Sequence, residues 1–120
     1  MKVTLRQILN AVPAFQKLIK TDLPAKMRFR ARNFVKQVQE KSHDFQTENQ
    51  TLVEKYGVLN EKGIKEVMPE QYEPFGKEIE DLLNEEIELK EEDLPDDIWD
   101  SVVMSLSDEE NIKPFKKVKE

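Results

Sequence analysis

Apolar residues recur every seven positions between Leu23 and Tyr56, which is the most regular stretch of the chain. A repeat of seven keeps one face of a helix turned towards a partner helix at a shallow crossing angle. We therefore predict one long amphipathic helix of about 50 Å, able to form a weak coiled coil with an internal helix or with a second copy. Its apolar face, the helical seam, comprises Ala31, Phe34, Val35, Val38, Phe45, Leu52 and Tyr56.

The region before the long helix predicts two short helices separated by a corner. Thr4 is followed by Gln7 at the spacing of a capping box, so the first helix begins near Leu5. Pro13 lacks the amide proton that an interior helical turn requires, so we expect a corner at residues 10–12 and a second helix from Pro13. A polar residue at position 21 or 22, Thr or Asp, is expected to cap the long helix.

The chain after the long helix alternates turn residues with short periodic segments. Gly57 is predicted to end the helix in a left-handed conformation, and residues 58–67 to form a hairpin with a turn at 60–63. Residues 86–90 alternate like a third strand beside that hairpin. Residues 72–83 have the pattern of an amphipathic helix.

A further helix is predicted to open at Pro95 and to carry an apolar stripe as far as Leu106. Its stripe contains Ile98, Trp99, Val102, Val103 and Leu106. Residues 107–120 are expected to form a tail of low order, pinned by Ile112 and Phe115.

These elements predict a mainly α, α+β fold with one helix-rich domain at residues 1–106 and a tail at 107–120. A length of 120 residues is that of one domain, and an apolar fraction of 38% against a charged fraction of 37% indicates a thin core. The chain has no cysteine, which excludes disulfides and thiolate chemistry. No apolar run has the length of a signal peptide core or a membrane span, so we expect a soluble protein that is neither secreted nor in a membrane.

The charge of the chain is distributed unevenly. Residues 1–42 contain ten Lys and Arg against Asp22 and Glu40, whereas residues 43–120 contain nine Lys and Arg against twenty-three acids. Such polarity can steer a partner, or let the two halves of one fold attract each other, and we favour the second interpretation.

No residue pattern indicates catalysis, a metal site or a cofactor, so we expect a protein that is not an enzyme. His43 is the only histidine and lies in mid-helix without a nucleophile-elbow motif near it. The densest acidic cluster lacks the glycine and terminal glutamate of a calcium loop, and we interpret it as the solvated start of a helix. It comprises Glu91, Glu92, Asp93, Asp96, Asp97 and Asp100.

Phe29 is the unusual residue of the long helix, because it points away from the seam and stands among arginines. We expect the N-terminal helices to fold over it; the alternative is an exposed aromatic anchor for a partner. Arg28, Arg32 and Lys36 recur every four residues beside it and form a basic stripe that could instead bind the phosphates of a nucleic acid. Against nucleic acid stands the net charge of −6.

Several short motifs occur in a characteristic order: Leu-Asn-Ala-x-Pro-Ala-Phe-Gln-Lys-Leu at 9–18, Leu-Pro-Ala-Lys at 23–26, Lys-Tyr-Gly at 55–57, and Glu-Ile-Glu-Leu after an acidic helix. In this order over about 100 residues the chain resembles a group of small uncharacterised proteins of tailed bacteriophages and prophages of Gram-positive bacteria. The resemblance carries no catalytic residue. It implies a non-enzymatic interaction or assembly role, in the host cytoplasm or the virion, with a protein partner or a second copy.

Overall fold

The computed structural model describes residues 1–90 and 96–116, and this part of the chain is mainly α-helical with two small antiparallel strand pairs. The longest dimension is 51 Å, which α2 nearly spans. The elements in chain order are β1 (Lys2–Thr4), α1 (Leu5–Lys20), α2 (Ala25–Tyr56), β2 (Gly57–Leu59), β3 (Lys65–Val67), α3 (Tyr72–Leu83), β4 (Glu86–Glu88) and α4 (Leu106–Ile112), with 3-10 turns at Pro69–Gln71, Asp96–Ser101 and Lys113–Phe115.

Helix α1 is one continuous helix, so the predicted corner before Pro13 is wrong. The capping box of Thr4 and Gln7 is present as predicted, and Pro13 lies inside the helix on its exposed side. An interior proline costs about 3 kcal/mol relative to alanine, but burying one large apolar side chain contributes about 1.5–3 kcal/mol. The opposite face of α1 buries Leu5, Ile8, Ala11, Ala14, Phe15 and Leu18, and this packing outweighs the local penalty.

Helix α2 starts at Ala25 with Pro24 at the N-cap position, and no side chain caps it. The predicted cap at residue 21 or 22 is therefore wrong. Thr21 instead closes α1: its backbone N–H donates to Leu18 O, and its hydroxyl donates to Lys17 O. The residue before a proline is biased towards extended angles, so residues 21–24 form a connector between the two helices.

The core lies between α1, the N-terminal half of α2 and the segment at 98–115. Phe15 is at its centre, with ring centroids 5.6 Å from Phe34, 5.3 Å from Trp99 and 5.1 Å from Phe115. The contacts of Phe15 with Trp99 and Phe115 are edge-on, and such aromatic contacts contribute beyond the area they bury. All buried residues of α2 lie in its first half, at Ala31, Phe34, Val35 and Val38.

The C-terminal half of α2, the hairpin and α3 form an arm, residues 39–83, in which no described residue is fully buried. Helix α3 runs antiparallel to α2. Its first turns lie at the far end of the arm, where Phe75 packs edge-on against Tyr56, and its last turn lies nearer the core, where Leu82 is close to Phe45. The Tyr56 hydroxyl donates to the Glu78 carboxylate, which Lys55 also contacts at 3.2 Å.

The four short strands form two separate pairs. Strands β2 and β3 form the predicted antiparallel hairpin, with Val58 opposite Glu66. Strand β4, predicted to extend that hairpin, pairs instead with β1, with Val3 opposite Ile87. Sequence periodicity identifies a strand but not its partner, and here α3 carries the chain back to the N-terminal end of the molecule.

Gly57 is not the left-handed cap that was predicted, because its φ is −87° and it is the first residue of β2. A glycine is required there by close approach: a Cβ atom would lie 2.3 Å from the carbonyl oxygen of Val53. The glycine with a positive φ is Gly63 in the hairpin turn, where φ is 76°.

Pro95, where a helix was predicted to open, lies outside the described residues. The rest of that predicted helix, as far as Leu106, is replaced by the 3-10 turn at Asp96–Ser101 and by α4, which begins at Leu106. Ile98, Trp99 and Val102 are buried, whereas Val103 and Leu106 are exposed, so the apolar stripe is interrupted. Ser105 and Asp108 form a capping box that starts the new helix.

Residues 107–116, predicted as part of a low-order tail, contain most of α4 and the turn at Lys113–Phe115. Ile112 and Phe115 are both buried, as the anchoring role predicted for them requires. Residues 117–120 lie outside the described part of the chain.

Candidate functional site

A groove opens on the face of α2 that turns away from the seam, with Phe29 at its edge. The Phe29 side chain is 68% exposed, which is unusual for a large aromatic residue. The groove encloses about 420 Å³. It is lined by Ile19 of α1 and by Phe29, Arg32, Asn33, Val35, Lys36 and Gln39 of α2.

The expectation that the N-terminal helices cover Phe29 is wrong. Helix α1 does not turn at Pro13, so it runs along the seam side of α2 and only its last turn reaches the groove, through the half-buried Ile19. At about 100° per residue Phe29 points nearly opposite Ala31, which is buried against the core. The exposure of Phe29 is therefore a consequence of the straight course of α1.

The rim of the groove is basic. Arg32 and Lys36 are exposed and line it, and Arg28 lies one helical turn before Arg32, partly buried. None of the described residues that line the groove is acidic, so Arg32 and Lys36 make the field at its rim positive. An apolar floor with a cationic rim fits the apolar face of a partner bordered by carboxylates.

The seam residues other than Val35 lie elsewhere, on the opposite side of α2. Ala31, Phe34, Val35 and Val38 are in the core, with α1 packed against this half of α2. Phe45, Leu52 and Tyr56 are half-buried in the arm, where α3 packs. The seam is thus in contact with helices of the same chain, and Val35 alone among its residues also lines the groove.

A second exposed apolar surface, not anticipated from the sequence, lies at the far end of the arm. We call it the hairpin end; its residues are Val58, Leu59, Ile64, Met68 and Tyr72, all exposed. The sequence did contain a sign of this exposed surface: Val58 and Leu59 are adjacent in one strand, so their side chains must point to opposite faces of a two-stranded sheet. One of the two therefore faces away from α2.

The two described carboxylates with clearly shifted pKa values have structural partners. The hydrogen bond from Lys17 lowers the pKa of Asp108, against the opposing effect of burial. The hydrogen bond from the Tyr56 hydroxyl, assisted by Lys55, lowers the pKa of Glu78. Neither carboxylate lines the groove.

In the described part of the chain, the residues considered for catalysis or metal binding are not brought together into a site. His43 is exposed on α2. Within residues 1–90 and 96–116 no three His, Asp or Glu side chains are placed to share a metal ion. Of the predicted acidic cluster, Glu91, Glu92 and Asp93 lie outside the described residues, and Asp100 is exposed. Among the described helices, none combines the length and the apolar character needed to cross a membrane.

No protein-family model, no curated protein and no solved structure matches the chain. The residues of the groove consequently take no role from a relative, and their function is inferred from their geometry.

Proposed function

We propose that this protein is a non-enzymatic docking and assembly protein whose Phe29 groove binds the apolar face of an acidic protein segment. The observation that carries the proposal is the 68% exposure of Phe29 beside an open groove with cationic residues on its rim. Tryptophan, tyrosine and arginine are enriched among the residues that contribute most of the binding free energy of protein interfaces, and Phe29 offers a comparable aromatic ring.

The chemistry of the groove defines the partner. Burying most of the Phe29 ring would contribute about 1.5–3 kcal/mol, and the floor formed by Ile19 and Val35 adds apolar contact. Arg32 and Lys36 at the rim favour partners with Asp or Glu on both sides of an apolar stripe. An amphipathic acidic helix presents that arrangement.

The test uses a synthetic helical peptide of about 18 residues, with Leu on one face at i, i+3, i+4 and i+7 and Glu at the remaining positions. Binding is measured by fluorescence anisotropy of the labelled peptide. We expect Phe29→Ala to weaken binding at least about tenfold, since the loss of one buried aromatic exceeds 1.4 kcal/mol.

Val103→Ala is the control, because Val103 is also a highly exposed apolar residue but lies outside both the groove and the hairpin end. It should bind the peptide as the unsubstituted protein does. Equal affinity of the Phe29→Ala variant and the unsubstituted protein would refute docking at the groove.

A second candidate function, binding of nucleic acid phosphates, is favoured by the spacing of Arg28, Arg32 and Lys36 along one side of α2. Nucleic acid binding and peptide docking make opposite predictions about the effect of Phe29→Ala. Retention of duplex DNA at low salt would be lost in Arg28→Ala/Arg32→Ala and kept in Phe29→Ala, because phosphate contacts need the charges and not the ring. Absence of retention in the unsubstituted protein removes this candidate.

The phage or prophage origin is part of the proposal and rests on the sequence resemblance of residues 9–18, 23–26 and 55–57. A protein of that origin would act in the host cytoplasm or in the virion. Detection of the protein by mass spectrometry in purified virions would place it in the particle; detection only in infected cells would assign it a cytoplasmic role.

A further inference from the structure

The groove and the hairpin end lie at opposite ends of α2. From Phe29 to Tyr56 the helix rises about 40 Å at 1.5 Å per residue, and the whole molecule is 51 Å long. A straight helix holds the two surfaces apart, so they cannot meet within one chain. Any contact between them joins two molecules.

The two surfaces are complementary in charge. Four glutamates, at positions 61, 66, 70 and 73, are exposed around the hairpin end. Of the two lysines in the same stretch, Lys65 is already paired with Glu54 at 3.3 Å. The groove has the reverse character, with Arg32 and Lys36 exposed at its rim. Opposed fields of this kind orient an encounter and exclude pairing of like ends.

The two surfaces also match in their apolar content. Leu59 is 67% and Ile64 61% exposed, and a hydrogen bond from Asn60 N to Ile64 O holds the strand ends together at the turn. The hairpin therefore presents exposed apolar side chains, and the groove beside Phe29 contains the apolar side chains of Ile19 and Val35. Apolar side chains exposed together in this way commonly mark an interaction site.

We propose that the hairpin end of one molecule docks in the Phe29 groove of a second copy. This inference rests on the proposed function and names the partner of the groove. In the proposed assembly two molecules lie antiparallel, and each places its hairpin end in the groove of the other. The product is a closed two-fold dimer with a mass twice 14.1 kDa.

The experiment is a charge exchange measured by light scattering after size exclusion, at about 50 mM and about 500 mM salt. The groove variant is Arg32→Glu/Lys36→Glu and the hairpin variant is Glu66→Lys/Glu70→Lys. The control, Lys2→Glu/Lys116→Glu, makes the same charge change as the groove variant at exposed positions outside both surfaces.

We expect the unsubstituted protein and the control to be dimeric at low salt and each variant alone to be monomeric, with an association constant reduced at least about tenfold. An equimolar mixture of the two variants should be dimeric again. In the mixed pair both contacts join opposite charges, the native groove with the native hairpin end and the reversed groove with the reversed hairpin end.

A monomeric unsubstituted protein at low salt, dimeric single variants, or a mixture that stays monomeric would each overturn the inference. The acidic peptide separates this failure from that of the proposed function. If the protein is monomeric but binds the peptide through Phe29, the proposed docking function stands and only the second copy as partner is refuted. If it is monomeric and does not bind the peptide, both the docking function and the dimer are refuted. If the dimer forms, the peptide should dissociate it by competing for the groove.

Discussion

Lys17 of α1 and Asp108 of α4 form an ion pair between residues that are 91 positions apart in the sequence. Asp108 is the buried charged residue of the described part of the chain, and its carboxylate also accepts from the backbone N–H of Ser105 in the capping box of α4. One carboxylate thus starts α4 and attaches it to α1. A buried charge is tolerated only where it is paired and hydrogen-bonded, and both conditions are met here.

Replacing Asp108 with Ala should lower the thermal unfolding midpoint by several degrees, because it removes both the ion pair to Lys17 and the hydrogen bond from Ser105 N–H in the capping box of α4. Differential scanning calorimetry measures the change. The control is Glu110→Gln on the same helix, which breaks the exposed pair with Lys113 at 2.7 Å and should leave the midpoint nearly unchanged. Equal effects of the two substitutions would contradict the structural role of Asp108.

Stability should fall in acid. The folded-state pKa values of Asp108 and Glu78 lie below their ordinary values of 3.8 and 4.5. A carboxylate with a depressed pKa stabilises the fold fully above its unfolded pKa, and this contribution is lost as the pH falls through the folded pKa. The free energy of unfolding should therefore decrease below about pH 4 and be nearly flat from about pH 5 to 7.

Urea titrations followed by the fluorescence of Trp99, the single tryptophan, measure this profile. In Asp108→Asn the decrease in acid should be shallower, because one of the titrating groups is absent. A profile for Asp108→Asn that is parallel to the original would exclude Asp108 as a source of the pH dependence.

Pro13→Ala should raise the free energy of unfolding by about 1–2 kcal/mol. Alanine restores the missing helical hydrogen bond of α1, a gain that is partly offset by the greater freedom of the unfolded chain. Pro13 is exposed, so no packing is lost. Pro24→Ala serves for comparison, because Pro24 stands at the N-cap of α2, where no interior hydrogen bond is missing. A lower stability of Pro13→Ala would mean that the proline is needed for the path of α1.

Alanine substitutions at Gly57 and Gly76 should have opposite signs. The new Cβ at position 57 would collide with the carbonyl oxygen of Val53, so Gly57→Ala should cost about 1–3 kcal/mol. At position 76, inside α3, nothing lies within 4 Å of the Cβ, so Gly76→Ala should stabilise by up to about 1 kcal/mol. Urea denaturation of both variants provides the measurement. A neutral Gly57→Ala would show that the last turn of α2 adjusts without strain.

The accuracy of the sequence predictions depended on how local each determinant was. Three local features were predicted correctly: the capping box at Thr4, the course of α2 to Tyr56, and the hairpin predicted at residues 58–67. Each is set by residues within a few positions or by a single period. The groove was only partly foreseen. Its residues Phe29, Arg32 and Lys36 were identified, but the exposure of Phe29 depended on where α1 runs.

Local chemistry by itself determined where α2, α3 and the hairpin form, since caps, turn residues and apolar periodicity act over one or two turns of chain. Tertiary structure alone decided three things: that α1 continues through Pro13, that β4 pairs with β1, and that Lys17 meets Asp108. The physical reason is the same in each case. The free energy comes from burial and pairing between segments far apart in sequence. At Pro13 this energy exceeds the local preference against an interior proline, and for β4 and Lys17 it selects a partner that no local pattern specifies.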